Sequence, residues 1–157
     1  MISPHVADQG LYFVNDGLLQ RYTKQLGSPC TRQLYQPGDF IIQSGLFIDQ
    51  PVDEYISCIT DVQLLHIHYR QLELFFMEFP EAVKLLLGIM QLLYLKEFRH
   101  SQLLYLELAI DRFRLATKMY GAYFYHVPRP VLASYLGISK KHLGRLFAEL
   151  AHQKVLD

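Results

Sequence analysis

The spacing of apolar residues changes once along this chain, near Tyr69, and that change limits the possible folds more than any other feature. Before it, short apolar or aromatic runs alternate with turn signals, the pattern of β structure. The runs are 11–14, 18–23, 31–36, 40–43, 55–59 and 62–68. Asn15-Asp16-Gly17, Gly27-Ser28-Pro29 and Pro37-Gly38-Asp39 separate four of them, and Thr60-Asp61 separates the last two. Glycine accepts positive φ at such turns without a steric cost. Six short strands at this spacing predict a sandwich, barrel or jelly-roll. Residues 44–54 form the longest stretch of this region without strand character. Loops of that length usually bind something.

After Tyr69 the spacing is helical. Leu72, Leu74, Phe75 and Phe76 predict a short helix that closes before Pro80. A long helix follows from Glu81, apolar on nearly every side between Val83 and Leu95. Such a helix is buried on two faces: one against the β structure, the other against a second copy of the chain. At about 13 residues the stretch is short of the roughly 20 that span a membrane. The polar run 96–102 predicts a bend, and helical spacing resumes from Leu103 to Tyr120, where Gly121 stops it. At 157 residues, half of them apolar, the chain can bury a real core as one domain or two small ones.

The chemistry concentrates in residues 128–150. Val131, Leu132 and Leu136 mark the apolar face of one short helix. Gly137 stops it, Ser139 stands as an N-cap, and Lys140 opens a second helix. Leu143, Leu146 and Leu150 face inward there, with Lys140, Lys141 and Arg145 on the opposite side. Two helices joined by a glycine turn, with cations outside the second, form a helix-turn-helix signature. The same pattern also fits a plain helical hairpin with a solvated face. Formal net charge is zero, but its distribution is uneven. Residues 1–110 carry seven Lys and Arg against twelve Asp and Glu, while residues 111–157 carry eight against three. Any polyanion site therefore belongs to the basic tail. Cys30 and Cys58 are the only cysteines, too few for a four-thiolate cluster. The N-terminal residues lack the features of a signal peptide, so a cytoplasmic protein with reduced thiols is expected.

A β-rich front, a long apolar helix and a terminal helix-turn-helix, in that order, resemble the cyclic-AMP receptor protein and FNR-type (Crp/Fnr) family of regulators. LYFVNDGLLQRYT resembles that family's strand–glycine turn–strand, and YQPGDFI its Pro-Gly-Asp-Phe turn. DRF at 111–113 resembles the Glu-Arg-Tyr start of the helix beyond the hinge. HVPRPVLASYLGISKKHLGRL resembles its helix-turn-helix, above all in VLASYLGIS. The match covers roughly residues 11–150. It implies an effector cassette at the loop, with Gln43, Gly45, Leu46, Phe47, Asp53 and Glu54 as pocket candidates. Members that bind cyclic AMP carry Gly-Glu and Arg-Ser pairs in that cassette. Here Ile42-Gln43 and Asp53-Glu54 stand in their places. A cyclic phosphate needs cations or clustered N–H donors, so cyclic AMP is not expected to bind. The oxygen-sensing branch needs an N-terminal cysteine cluster, which Cys30 and Cys58 do not supply. The family also has strands before Leu11 and a β wing after the recognition helix. Residues 151–157 could only begin one.

Other chemistry has weaker support. His66 and His68 share one strand face with Val62 and Leu64, and a satisfied, partly buried pair fits better than a metal site. Asp53 and Glu54 point apart on an extended segment and read as a solvated loop. Tyr120, Tyr123, Phe124 and Tyr125 read as core rather than base-stacking residues. No catalytic set, phosphate loop, metal site or cofactor site is expected.

The expected fold is α+β: a partial cyclic-nucleotide-binding-like β-roll, or jelly-roll (1–80), a dimerisation helix (81–102) and a helix-turn-helix with an incomplete wing (103–157). The expected function is transcription regulation by a homodimer paired through the helix near 81–98. Its partner is double-stranded DNA, contacted through Ser139, Lys140, Lys141, His142 and Arg145. RNA polymerase and an unidentified small-molecule effector are further candidate partners, and a membrane is not. The alternative is a degenerate sensor or protein-interaction module that does not read DNA.

Overall fold

The computed structural model describes residues 10–42 and 53–156. Among the described residues the β region folds into six strands: β1 (Gly10–Asp16), β2 (Leu19–Gln25), β3 (Ser28–Tyr35), β4 (Phe40–Ile42), β5 (Tyr55–Cys58) and β6 (Gln63–His68). They form two antiparallel three-stranded sheets, ordered β4-β1-β6 and β3-β2-β5. Alternation along each strand turns Tyr12, Val14, Leu19, Tyr35, Ile41 and Ile56 into one buried cluster, with Val62 and Leu64 against it. The first turn depends on Gly17, at φ 90°, where a Cβ would collide with the Asp61 carbonyl oxygen.

The turn expected at Gly27-Ser28-Pro29 sits one residue earlier. Leu26 (φ 48°) and Gly27 (φ 79°) make it, and Ser28 and Pro29 already pair with Gln25 and Lys24. Proline tolerates this position because β3 is an edge strand of its sheet among the described residues. Leu26 is fully exposed and takes a backbone conformation that disfavours side chains.

Five helices follow: α1 (Tyr69–Glu78), α2 (Val83–Tyr105), α3 (Ala109–Tyr120), α4 (Arg129–Tyr135) and α5 (Lys140–Leu156). His68 begins α1 as a capping box. Its Nδ1 accepts from the Arg70 amide at 3.2 Å, and its own amide donates to Gln71 Oε1 at 3.1 Å. A 3-10 turn at Pro80–Ala82 leads into α2. The outer face of sheet β4-β1-β6 then packs on α2. Ile42 and Ile89 are buried there, with Leu11, Phe40, Leu86 and Leu93 around them.

The polar run 96–102 does not bend the helix. α2 continues to Tyr105, and the break comes at Leu106. Lys96, Glu97 and His100 extend the buried line of Leu86, Ile89 and Leu93 by one helical turn after another, each with a polar partner. Polarity here marks inward partners rather than solvent.

The chain divides into two compact units, Met1–Arg99 and His100–Asp157. In the second, Phe113 packs edge-on against Phe124 and Phe147, both at 5.5 Å between ring centres. The Tyr120 and Tyr135 hydroxyls share a hydrogen bond of 3.0 Å. His100 stacks on Tyr135, and its Nε2 lies 2.8 Å from the Tyr135 carbonyl oxygen. Tyr120 and Phe124 are core as expected, but Tyr123 and Tyr125 are exposed. The 3-10 segment Gly121–His126 turns its side chains outward at a different spacing from a helix. Residues 151–156 continue α5 instead of opening a wing. No helix among the described residues is long and apolar enough to cross a membrane.

Candidate nucleic-acid interface

The turn between α4 and α5 is built from backbone hydrogen bonds. Ile138 donates to the Ala133 carbonyl at 3.0 Å and Gly137 to that of Ser134 at 3.1 Å. This pair is a Schellman cap, which needs a left-handed residue at its centre, and Gly137 supplies it at φ 64°. A Cβ there would also press on Leu104 Cδ2 at 3.1 Å. Arg112, on α3, closes the turn from outside. Its NH1 donates to the Leu136 carbonyl at 3.1 Å, and its Nε to the Leu106 carbonyl at 2.8 Å. Carbonyls that the ends of α2 and α4 would leave open are thus held by one guanidinium.

Helix α5 starts as expected. Ser139 Oγ accepts from the His142 amide at 3.1 Å, and the Ser139 carbonyl accepts from Leu143 at 3.0 Å. Leu143 and Leu146 are buried, and Leu150 is half-buried. Ser139, Lys140, Lys141, His142 and Arg145 are all exposed. Lys141 and Arg145 lie one turn apart, and Gly144 between them leaves open space around its Cα. No ion pair holds Lys140, Lys141 or Arg145 among the described residues. The first turn of α5 contains no acidic residue. Lys140 and Lys141, in the first turn, oppose the macrodipole, so their placement carries a small electrostatic cost. An external polyanion would offset that cost.

The effector candidates divide. Gln43, Gly45, Leu46 and Phe47 lie outside the described residues. Asp53 is exposed. Glu54 is not a solvated loop carboxylate: its Oε2 lies 3.8 Å from Arg21 Nε, and its side chain is mostly buried. The cause is strand parity. Arg21 alternates with Leu19 on the inward face of β2 and attracts carboxylates into the interior.

Around Arg21 stands a charged cluster that the motifs did not reveal. Its NH1 lies 3.8 Å from Glu97 Oε1 on α2, its NH2 donates to the Ile42 carbonyl at 3.2 Å, and its guanidinium covers the Tyr35 ring at 5.5 Å. Lys96 pairs with Asp39 and also covers the Tyr35 ring, at 5.3 Å. Burial pushes the Tyr35 hydroxyl and the Glu97 carboxyl above their usual ranges, against the pull of Arg21. Burial also lowers the Lys96 ammonium, against the pull of Asp39. The inward parity of Arg21 is the one sequence signal for this cluster.

His66 and His68 do share a face. His66 stacks on Tyr12 at 4.2 Å, and His68 caps α1. Among the described residues, no three His, Cys, Asp or Glu side chains are placed to hold a metal ion.

No protein-family model matches the chain, and no curated protein matches it. Solved structures do. The c-di-GMP responsive global regulator CLP of Xanthomonas campestris superposes with a TM-score of 0.71 at 21% identity, over 94% of this chain and 79% of that one. FixK2 of Bradyrhizobium japonicum gives 0.78 at 18% identity, over 94% and 77%. TTHA1359 of Thermus thermophilus, a transcriptional regulator of the CRP/FNR family, gives 0.71 at 20% identity, over 96% and 77%. The fold of this chain is the fold of those regulators.

Proposed function

We propose that this protein is a DNA-binding transcriptional regulator of the Crp/Fnr type, acting as a homodimer and not responding to cyclic AMP. One observation carries the reading. The start of α5 presents Lys140, Lys141 and Arg145 to solvent without internal partners among the described residues, on a helix fixed by the Schellman turn, the Ser139 cap and Arg112. A phosphate backbone is a fitting partner for such an arrangement. The fold shared with known regulators supports it.

Pairing rests on α2. Val83, Leu87, Met90, Tyr94, Phe98 and Tyr105 are exposed and follow a three-and-four spacing along one side, away from the residues that pack on the sheet. That line is the seam of a two-helix coiled coil. A two-fold dimer sets its recognition helices about 34 Å apart and reads a near-palindrome. Glu54 and Glu97, both beside Arg21, make the surroundings of that guanidinium unfavourable to a cyclic phosphate.

The competing reading is a protein-interaction module that does not read DNA, and the formal net charge of zero favours it. A gel-shift assay with fragmented genomic DNA at low and moderate salt separates the two. Discrete complexes that persist for some fragments at moderate salt support the regulator. No complex at either salt supports the module.

A further inference from the structure

Helix α2 rests on the outer face of sheet β4-β1-β6 through Leu86, Ile89 and Leu93. Those contacts alone do not choose which side of the helix meets the sheet. Each residue turns an α-helix by about 100°. Rotated one residue forward, α2 would bring Leu87, Met90 and Tyr94 to the same places. Rotated one residue back, it would bring Leu85, Gly88 and Leu92. None of the six carries a charge, and all six are exposed. Gly88 in place of Ile89 would fill the backward setting poorly. The forward setting buries side chains of similar size, and apolar burial has no direction of its own.

The next turn of the helix does choose. Lys96 pairs with Asp39 of the β3–β4 turn, and Glu97 Oε1 stands 3.8 Å from Arg21 NH1 of β2. Both partners are fixed in the β unit. Asp39 Oδ2 also accepts from the Gln36 amide at 2.7 Å, and the Asp39 carbonyl accepts from the Val14 amide at 2.9 Å. Arg21 NH2 is tied to the Ile42 carbonyl. Arg32 also attracts Glu97, while Glu54, beside Arg21, repels it. A fixed anion and a fixed cation therefore stand before consecutive residues of opposite sign. Forward rotation would set Glu97 against Asp39 and Phe98 against Arg21. Backward rotation would set Leu95 against Asp39, and Lys96 against Arg21 and Arg32. Each alternative puts like charges together or leaves a buried charge without its partner, and both are strongly unfavourable.

We infer that Lys96 and Glu97 are positioning residues whose order of sign, cation first, sets which side of α2 faces the β sheet. Apolar contacts hold the helix down, and the ion pairs choose its rotation. A buried ion pair adds little net stability over apolar residues of the same volume, and fixing register is its best-attested use. The chosen rotation also turns Leu87, Met90 and Tyr94 outward. Only that consequence bears on the dimer reading above; the rotation itself does not rest on it.

Thiol accessibility reads the rotation in the full chain, without DNA. Single cysteines are introduced by Ile89→Cys, Leu92→Cys or Ile56→Cys in a Cys30→Ser, Cys58→Ser background. Position 89 is buried against the sheet, 92 is exposed, and 56 is buried in the β cluster. With native charges, a maleimide is expected to react at 89 and 56 about tenfold more slowly than at 92. Lys96→Leu with Glu97→Lys moves the cation one residue along the helix. Forward rotation is then expected, carrying position 89 into the exposed place of Gly88 and position 92 into that of Gln91, also exposed. Reaction at 89 rises to the rate at 92, while 56 stays protected. Asp39→Asn removes the charge but keeps an acceptor for the Gln36 amide, and is expected to raise reaction at 89 and not at 56. Protection of 89 unchanged in the charge-shifted variant overturns the inference. So does an equal rise at 56 in both variants, since the charges would then keep the unit folded rather than choose its rotation. Positions 89 and 92 lie off the line of Leu87, Met90 and Tyr94, so a chain that neither pairs nor binds DNA gives the same readings.

Discussion

Lys140, Lys141 and Arg145 pair with nothing among the described residues, and the two lysines stand at the end of a helix where positive charge is least welcome. Among them Arg145 stands one turn inside the helix, where a guanidinium in a major groove can bond guanine through two donors. Arg145→Ala is expected to lower discrimination between operator and random DNA by about 1–3 kcal/mol, measured as a ratio of binding constants at one salt concentration. An equal loss on both DNAs would make Arg145 a phosphate contact. Ser139 has a complete structural role as a cap, since its hydroxyl is already engaged by the His142 amide. Arg112 is the residue that the motifs undervalue. The resemblance marks only its place after Asp111, and its grip on the Leu106 and Leu136 carbonyls joins residues that no local motif links.

At the scale of elements, punctuation decides what can be read. Gly17, Gly38 and Gly137 all take positive φ, and each ends an element where the sequence predicts an end. Strand and helix periods therefore place the six strands, α1, α4 and α5 closely. The differences at the polar run 96–102 and at Glu54 share one cause: a polar residue suggests solvent when seen alone. Lys96, Glu97 and His100 lie along the buried side of α2, and Arg21 lies inside the β sheets, because each meets a partner that distant parts of the sequence supply. Local pattern cannot show such pairings.

The cluster also makes a prediction about pH. Burial holds the folded-state Glu97 carboxyl above its unfolded value, so the folded state binds that proton more tightly. The Glu97 contribution is then fully favourable below the unfolded value and is lost as pH rises through the folded one. Glu97→Gln, compared with wild type by denaturant unfolding, is expected to be about equally stable in acid and relatively more stable at neutral pH. A variant relatively less stable at neutral pH than in acid would show that the Arg21 pairing outweighs burial.

For the whole molecule, the proposed function depends on duplication. One copy offers a few cations, too few to bind DNA tightly at physiological salt. In the proposed dimer, two copies joined along the exposed apolar line of α2 would offer the set twice. The most direct measurement is the distance between paired spin labels at position 148 on the exposed side of α5, in a Cys30→Ser, Cys58→Ser background. With a bound DNA fragment recovered from the gel-shift assay, the account predicts a single narrow distance near 34 Å, about one turn of the double helix. An absence of any dipolar signal, or a distance unrelated to the DNA repeat, would contradict it.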